Sequence, residues 1–307
     1  MRVKKNDITS RYFQQHLMHE TKEISALFTL MDDPDNEVFS TVSNRIVDFG
    51  RSIIPNLENL WENSTSEDVQ ERIELLIHKL HFNDLLGDFT AWKNNPYHDL
   101  LFGSLLVAKF QYPELSTSPV LQELERIRRN VWLELNSFLT SLEQANVISS
   151  IVYNYYNLKG VEVGYKNPDD FFIHKVIESK KGNAISNGVL YLLLCELLDI
   201  NVKVINIPRQ FILAFFHTDY DQYAFKGHPQ TKIHFYIDAI SGHIFTHKDL
   251  EAYFKKISVP PVPSYFKPLS HKRIIQLQLE ELAKCFDNKK QRYKYDELMK
   301  LSNLLDD

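Results

Sequence analysis

The sequence has only two cysteines, and they stand far apart, at positions 195 and 285. Two isolated cysteines form neither a zinc cluster nor a disulfide framework, so we expect both to be small buried side chains in a reducing compartment. Long apolar runs are missing too. The longest, Val189–Cys195, is far too short to span a bilayer, and no apolar stretch follows the basic residues at the N-terminus. We therefore expect neither a signal peptide nor membrane association, and place the protein in the cytoplasm.

An excess of positive charge is also absent, because the formal net charge is -5. No global field attracts nucleic acid, so nucleic-acid binding is not expected. What the chain does have is the composition of an ordinary globular protein, with 44% hydrophobic and 24% charged residues. Its 307 residues suffice for one large domain or two smaller ones with a sizeable core.

The first part of the chain, residues 1–82, is predicted to be helical and repetitive. Apolar residues at helical spacing from Val38 to Phe49 are followed by Gly50, a residue typical of helix ends. A weaker copy of the pattern begins at Ser66. The motifs "DDPDNEV", "VDFG" and "IPNLENL" within residues 22–82 resemble HEAT-like helical repeats, whose helix pairs stack because none can bury its apolar face alone. A plain helical bundle is the alternative.

The second part, residues 83–257, is predicted to change from helices to strands. A long apolar helix, Asn183–Leu198, precedes strand-like runs at residues 202–207, 210–216 and 232–240. This order predicts an α+β fold, mostly helical, with a small antiparallel sheet packed on that helix. The third part, residues 258–307, combines a proline-rich strap with a helical hairpin that resembles a single tetratricopeptide-like unit.

Four motifs in the second part together resemble the transglutaminase-like superfamily, and within it the SirB-type branch. They are "NPDDFF", "KKGNAIS", "IPRQFILAF" and "FYIDAI", and the resemblance covers roughly residues 150–257. It implies a degenerate papain- or transglutaminase-like core flanked by helical repeats. In active members a cysteine at a helix N-terminus attacks the substrate, a histidine on the next strand moves the proton, and an aspartate orients the histidine.

Carried over by position, the resemblance places the cysteine at Ala184, the histidine at Gln210 and the aspartate at Asp238. Alanine cannot attack a carbonyl and glutamine does not titrate, so no catalytic residue is expected. We expect these three positions still to lie together in space. The implied function is that of a pseudoenzyme, a non-catalytic interaction or scaffold module with an unidentified protein partner.

Two alternatives remain open from the sequence. One is a hydrolase in which Ser186 is the nucleophile and His234 the base. The other is a pocket for an anion, small ligand or peptide at the Gly182 turn, because a helix N-terminus presents free N–H groups. The binding candidates are Lys181, Gly182, Asn183, Ser186, Arg209, Gln210, His234 and Asp238. No metal or other cofactor is expected, since His228, His234, His243 and His247 lack the spacing of a metal site.

Overall fold

The computed structural model describes residues 22–33, 35–220 and 226–306. The N-terminal segment used above to argue against a signal peptide lies outside these residues. The chain divides into two compact units, with the division between Gly87 and Asp88. The predicted three-part division, with boundaries after residues 82 and 257, stays a prediction. Among the described residues, no helix is both long enough and apolar enough to cross a bilayer.

The first unit is helical, as predicted. Residues 22–29 form a helical stretch, and the helices that follow are α1 (Asn36–Asp48), α2 (Ile54–Asn63) and α3 (Glu67–Asn94), the last of which runs on past the division. Helix α1 ends two residues before Gly50, which adopts a φ of 65° that glycine tolerates without strain. The likeness to HEAT repeats stays a prediction.

The core of the first unit is made by side chains that lie on one face of each helix. Ile46, Leu57 and Ile73 are fully buried there. Arg72 adds a polar tie, because its guanidinium donates hydrogen bonds to the carbonyls of Met31 (3.0 Å) and Asp33 (2.9 Å). The apolar spacing read from the sequence therefore corresponds to a packed interior.

The second unit surrounds one buried helix. Its helices are α4 (Leu100–Lys109), α5 (Ser118–Glu134), α6 (Ser141–Ser149), α7 (Ile173–Ser179), α8 (Ala184–Leu197), α9 (His247–Ile257), α10 (His271–Ala283) and α11 (Arg292–Leu304). A π-helix, Ser150–Tyr155, continues α6. Helix α8 is buried from Ala184 to Cys195, which is why its sequence is apolar all round. Helices α10 and α11 form the predicted C-terminal hairpin, whereas its tetratricopeptide-like character stays a prediction.

A four-stranded antiparallel sheet packs on α8, and the predicted α+β fold is thereby confirmed. The strands are β3 (Val202–Ile207), β4 (Gln210–Phe216), β5 (Ile233–Asp238) and β6 (Ile244–Phe245), in the spatial order 3-4-5-6. A separate parallel pair joins β1 (Lys159–Gly160) to β2 (Lys181–Gly182), the segment that leads into α8. This short pair was not predicted, because two residues carry no alternating pattern.

The two faces of the sheet pack on different helices. Strand residues alternate between faces, and residues paired across two antiparallel strands share a face. Phe211 lies on the face toward α8, since a Cβ placed at Gly188 would be 2.5 Å from its ring. Ile212 and Ala214 lie on the other face, in a core cluster that includes Phe254 of α9. These faces decide which strand residues can meet the first turns of α8.

Candidate functional site

The entrance to α8 is closed by its own side chains. The Asn183 side-chain oxygen accepts hydrogen bonds from the N–H groups of Ile185 (2.9 Å) and Ser186 (3.1 Å). Ser186 Oγ accepts one from Asn183 N–H (3.1 Å), which completes a capping box. Asn183 is fully buried and Ala184 nearly so. The predicted pocket for an anion at this turn is therefore wrong: N–H groups that would bind an anion are already bonded, and they are buried.

Ser186 and Gly182 have structural roles at this entrance. The Ser186 hydroxyl is buried and donates a hydrogen bond to the Asp170 carbonyl at 2.6 Å. Gly182 is required because a Cβ at that position would overlap Asn187 Oδ1 and lie 2.6 Å from Ser186 Oγ. Lys181, the residue before it, is exposed. None of these groups is presented to a common cavity.

Gln210 does not face the first turns of α8. It pairs with Ile207 and lies one residue from Phe211, so it shares the face of Ile212, away from the helix. Gln210 is exposed, as is Arg209, which occupies the tight turn between β3 and β4 with a φ of 65°. The strand residue that faces α8 is therefore Phe211. The assignment of the histidine position to Gln210 is wrong by one residue.

Asp238 is a turn residue. It pairs with Ile212 and so shares the face that points away from α8. Its carboxylate accepts hydrogen bonds from Ile240 N–H (3.1 Å) and the Ser241 hydroxyl (2.5 Å), which hold the β5–β6 turn. On that turn it is Ala239 that lies beside α8, with its Cβ 3.2 Å from where a Cβ would stand on Gly188. Of the three expected positions, Gln210 and Asp238 share a face, but Ala184 does not join them.

His234 is not a base for Ser186. Its ring stacks on that of His217, with centroids 3.6 Å apart, at the end of β5 remote from Asp238. Four strand residues separate His234 from Asp238, about 13 Å. Burial lowers the pKa of His234, and the neighbouring His217 lowers it further. The Ser186/His234 hydrolase alternative is therefore wrong, because Ser186 is bonded to Asp170 and His234 is bonded elsewhere in the sheet.

The comparison with known proteins agrees with the motifs at this entrance. A family model described as the transglutaminase-like superfamily matches residues 118–280, more than half of the chain. The chain belongs to the transglutaminase-like superfamily. It is similar to the protein SirB1 of Salmonella typhimurium and that of Salmonella typhi, with 27% identity to each over 128 residues. The SirB-type resemblance is thereby confirmed.

The match with SirB1 is partial. It covers 42% of this chain and 46% of each SirB1 chain, so this chain spans about half the length of the curated relatives it matches. None of the solved structures gives a significant match. Within this transglutaminase-like chain, the positions beside the first turns of α8 are Phe211 and Ala239. Neither side chain can titrate or attack a carbonyl.

Neither thiol supplies the missing nucleophile. Cys195 is fully buried near the end of α8, and burial raises its pKa well above the ordinary value. Burial also raises the pKa of the half-buried Cys285, to about 12, with a further contribution from Asp170. Both thiols are therefore neutral at ordinary pH and unreactive. Within residues 22–33, 35–220 and 226–306, no group of three or more His, Cys, Asp or Glu side chains could hold a metal ion.

A cleft of about 780 Å³ lies at the opposite end of α8, where the sequence predicted nothing. His271 stands in it, with Nε2 2.7 Å from Glu196 Oε1 and Nδ1 2.8 Å from the His98 carbonyl. Burial lowers the pKa of His271, but the Glu196 carboxylate outweighs burial and the pKa is raised. The only sequence signal was a polar residue inside each apolar run, Glu196 in "LLCELL" and Lys203 in "VKV".

Proposed function

We propose that this transglutaminase-like chain is non-catalytic and acts as a protein-interaction module. The observation that carries the proposal is the inert set of side chains beside the first turns of α8. Ala184 stands at the cysteine position, and Phe211 and Ala239 occupy the neighbouring sheet positions. A thiol hydrolase or transferase needs a nucleophile and a base in contact there, and neither is present.

An exposed apolar surface supports the interaction role. Among the described residues, five large hydrophobic side chains are more than half exposed, and four of them lie between residues 132 and 155. We call these four the 132–155 surface: Trp132 (59%), Leu133 (66%), Phe138 (92%) and Tyr155 (75%). Leu133 and Tyr155 line one groove of about 480 Å³ between α5 and the π-helix. Such concentrations of exposed aromatic and aliphatic side chains mark protein interaction sites.

The charges near the 132–155 surface favour an apolar partner. Upstream on α5, Arg126 is paired with Glu123 (2.5 Å) and Arg128 with Glu125 (2.6 Å), so those charges are already neutralised. The chain as a whole is slightly acidic, and we propose neither nucleic acid nor a membrane as a partner. We place the interaction in the cytoplasm, because both cysteines are free and isolated in the chain.

Activity-based labelling tests the absence of catalysis. Purified protein is treated with a fluorophosphonate probe for serine nucleophiles and with an iodoacetamide probe for cysteine nucleophiles. We expect native protein to react no faster than the Ser186→Ala variant, because the Ser186 hydroxyl is buried and bonded to Asp170. Labelling of native protein that disappears in Ser186→Ala would contradict the proposal, as would hydrolysis or cross-linking of a peptide substrate.

Affinity capture with matched variants tests the interaction role. The bait is the full chain, either unchanged or with Leu133→Asp and Phe138→Asp together. Leu121→Asp is the control, since Leu121 is 46% exposed on the same helix but outside the 132–155 surface. We expect proteins captured by the unchanged chain and by the control to be lost with the double variant. Capture that is equal for all three baits would count against this surface.

A further inference from the structure

The cleft at the C-terminal end of α8 has the size and lining of a small-molecule site. Its volume of about 780 Å³ lies within the range of ligand pockets, about 300–1,000 Å³. Its walls come from α8, the start of α4 and the segment before α10, and Leu100, Leu193 and Leu269 are among the apolar side chains on them. The rim carries Tyr97, which is 84% exposed, and Leu197, which is 47% exposed. Apolar walls with an exposed apolar rim are suited to a hydrophobic chain.

The imidazole of His271 forms a neutral pair with Glu196. Both of its ring nitrogens face an acceptor oxygen, one from the Glu196 carboxylate and one from the His98 backbone. Both nitrogens must therefore carry a proton, and the ring is an imidazolium. Its positive charge is balanced by Glu196 at 2.7 Å. The pair is thus occupied with itself and leaves no uncompensated charge in the cleft.

Lys203 is the charge in the cleft that has no partner. The other carboxylate on the wall, Asp99, accepts a hydrogen bond from Phe102 N–H at 2.6 Å and caps the positive end of α4. Lys203 is only partly exposed, and its ammonium forms no hydrogen bond or ion pair with any residue in the described part of the chain. An ammonium group beside apolar walls is a binding point for one anionic group.

We propose that this cleft binds a small amphiphilic carboxylate, with its carboxylate on Lys203 and its hydrocarbon chain against the leucine walls. Each part of such a ligand meets a group of matching chemistry. The carboxylate supplies the missing counter-charge, while the chain removes apolar wall and rim surface from water. A ligand without a charge would leave Lys203 without a counter-charge, and a cationic ligand would be repelled by it. This site is independent of the proposed interaction surface.

Calorimetric titration of the full chain with octanoate tests the site, and 1-octanol serves as the uncharged ligand of the same chain length. Lys203→Met removes the ammonium but keeps most of the apolar stem. We expect octanoate to bind the unchanged protein and to bind Lys203→Met about tenfold more weakly, the effect of losing one charged hydrogen bond. Lys248→Met, on the exposed surface of α9, is the matched control and should not change octanoate binding.

A second variant tests the apolar wall separately. Leu197→Asp places a carboxylate on the rim, and we expect it to weaken octanoate at least tenfold while circular dichroism shows an unchanged fold. Three results would overturn the proposal: no heat of binding at millimolar octanoate, equal octanoate affinity for native protein and Lys203→Met, or 1-octanol binding as tightly as octanoate. Because Leu133→Asp and Phe138→Asp lie elsewhere, octanoate binding should survive in that double variant even if the interaction role fails.

Discussion

At the scale of single residues, a small number of glycines decide how closely the segments around α8 can approach. Gly160 pairs with Gly182 in the parallel β1–β2 ladder, and the β5–β6 turn lies against it. A Cβ on Gly160 would overlap the carbonyl oxygen and the side chain of Ile240. A backbone oxygen cannot rotate away as the end of a side chain can, so the contact leaves room for glycine alone.

The first prediction compares two glycine substitutions. Gly160→Ala should lower the free energy of unfolding by about 1–3 kcal/mol, as overpacking does in a well-packed region. Gly87→Ala should raise it by about 0.5–1 kcal/mol, because Gly87 is exposed within α3 and a Cβ there meets no atom within 4 Å. Urea unfolding followed by circular dichroism measures both. Equal and small effects would show that the Gly160 contact is not tight.

At the scale of secondary-structure elements, His271 joins three of them. It is the first residue of α10, it bonds Glu196 in the last turn of α8, and it bonds the His98 carbonyl just before α4. Lys203 of β3 opposes the positive charge of His271, but Glu196 outweighs it. The joint therefore depends on protonation, since a neutral imidazole has only one N–H and can donate only one of the two bonds.

The second prediction concerns the pH dependence of this joint. Because the pKa of His271 is raised in the folded protein, its contribution is fully present below the unfolded value of about 6.5 and is lost as pH rises through the folded value. His271→Gln should thus destabilise the protein by about 1 kcal/mol more at pH 6 than at pH 9, a magnitude limited by solvent screening. Urea unfolding at the two pH values measures the difference.

The control for this measurement is His243→Gln, because His243 is exposed. Its effect on the free energy of unfolding should be small and nearly the same at both pH values. A loss in His271→Gln that stays constant with pH, or grows as pH rises, would mean that the imidazole is not charged in the folded protein.

At the scale of the whole molecule, the way α8 lies across the sheet determines what can meet at each of its ends. Gly188 lets the helix approach Phe211 and Ala239, which fill the space where a base and its partner would stand. The other end of α8, about 20 Å away along a 14-residue helix, opens into the cleft with Glu196. The packed end is inert and the open end carries charge.

The third prediction tests which strand position faces the helix. In the double variant Ala184→Cys with Gln210→His, the histidine lies on the far face of the sheet, so the thiol pKa should equal that of Ala184→Cys alone. In Ala184→Cys with Phe211→His, the imidazole lies on the near face and should lower the thiol pKa by about one unit or more. The rate of iodoacetamide reaction as a function of pH measures both.

Cys195 and Cys285 do not confuse this measurement, because burial raises the pKa of each thiol. Circular dichroism checks that each double variant is folded. A lowered thiol pKa with Gln210→His, and none with Phe211→His, would restore the assignment of the histidine position to Gln210.

The sequence by itself determined the family and most of the elements. The runs at 202–207 and 210–216 are β3 and β4 with the predicted ends, and the helix predicted from Asn183 to Leu198 is α8 with its two caps. These elements follow from local patterns of apolar and β-branched residues, which a chain carries wherever it packs. The absence of a thiol at Ala184 was equally plain, since it depends on residue type alone.

Only the tertiary structure decided which residues meet. Alternation along β4 puts Gln210 and Phe211 on opposite faces, but only the packing of α8 determines that the face of Phe211 is the near one. The cleft likewise unites His98, Glu196 and His271, which are separated by as many as 173 positions. Contacts of this kind arise from the docking of whole helices and strands, and residue spacing within one segment contains no information about that docking.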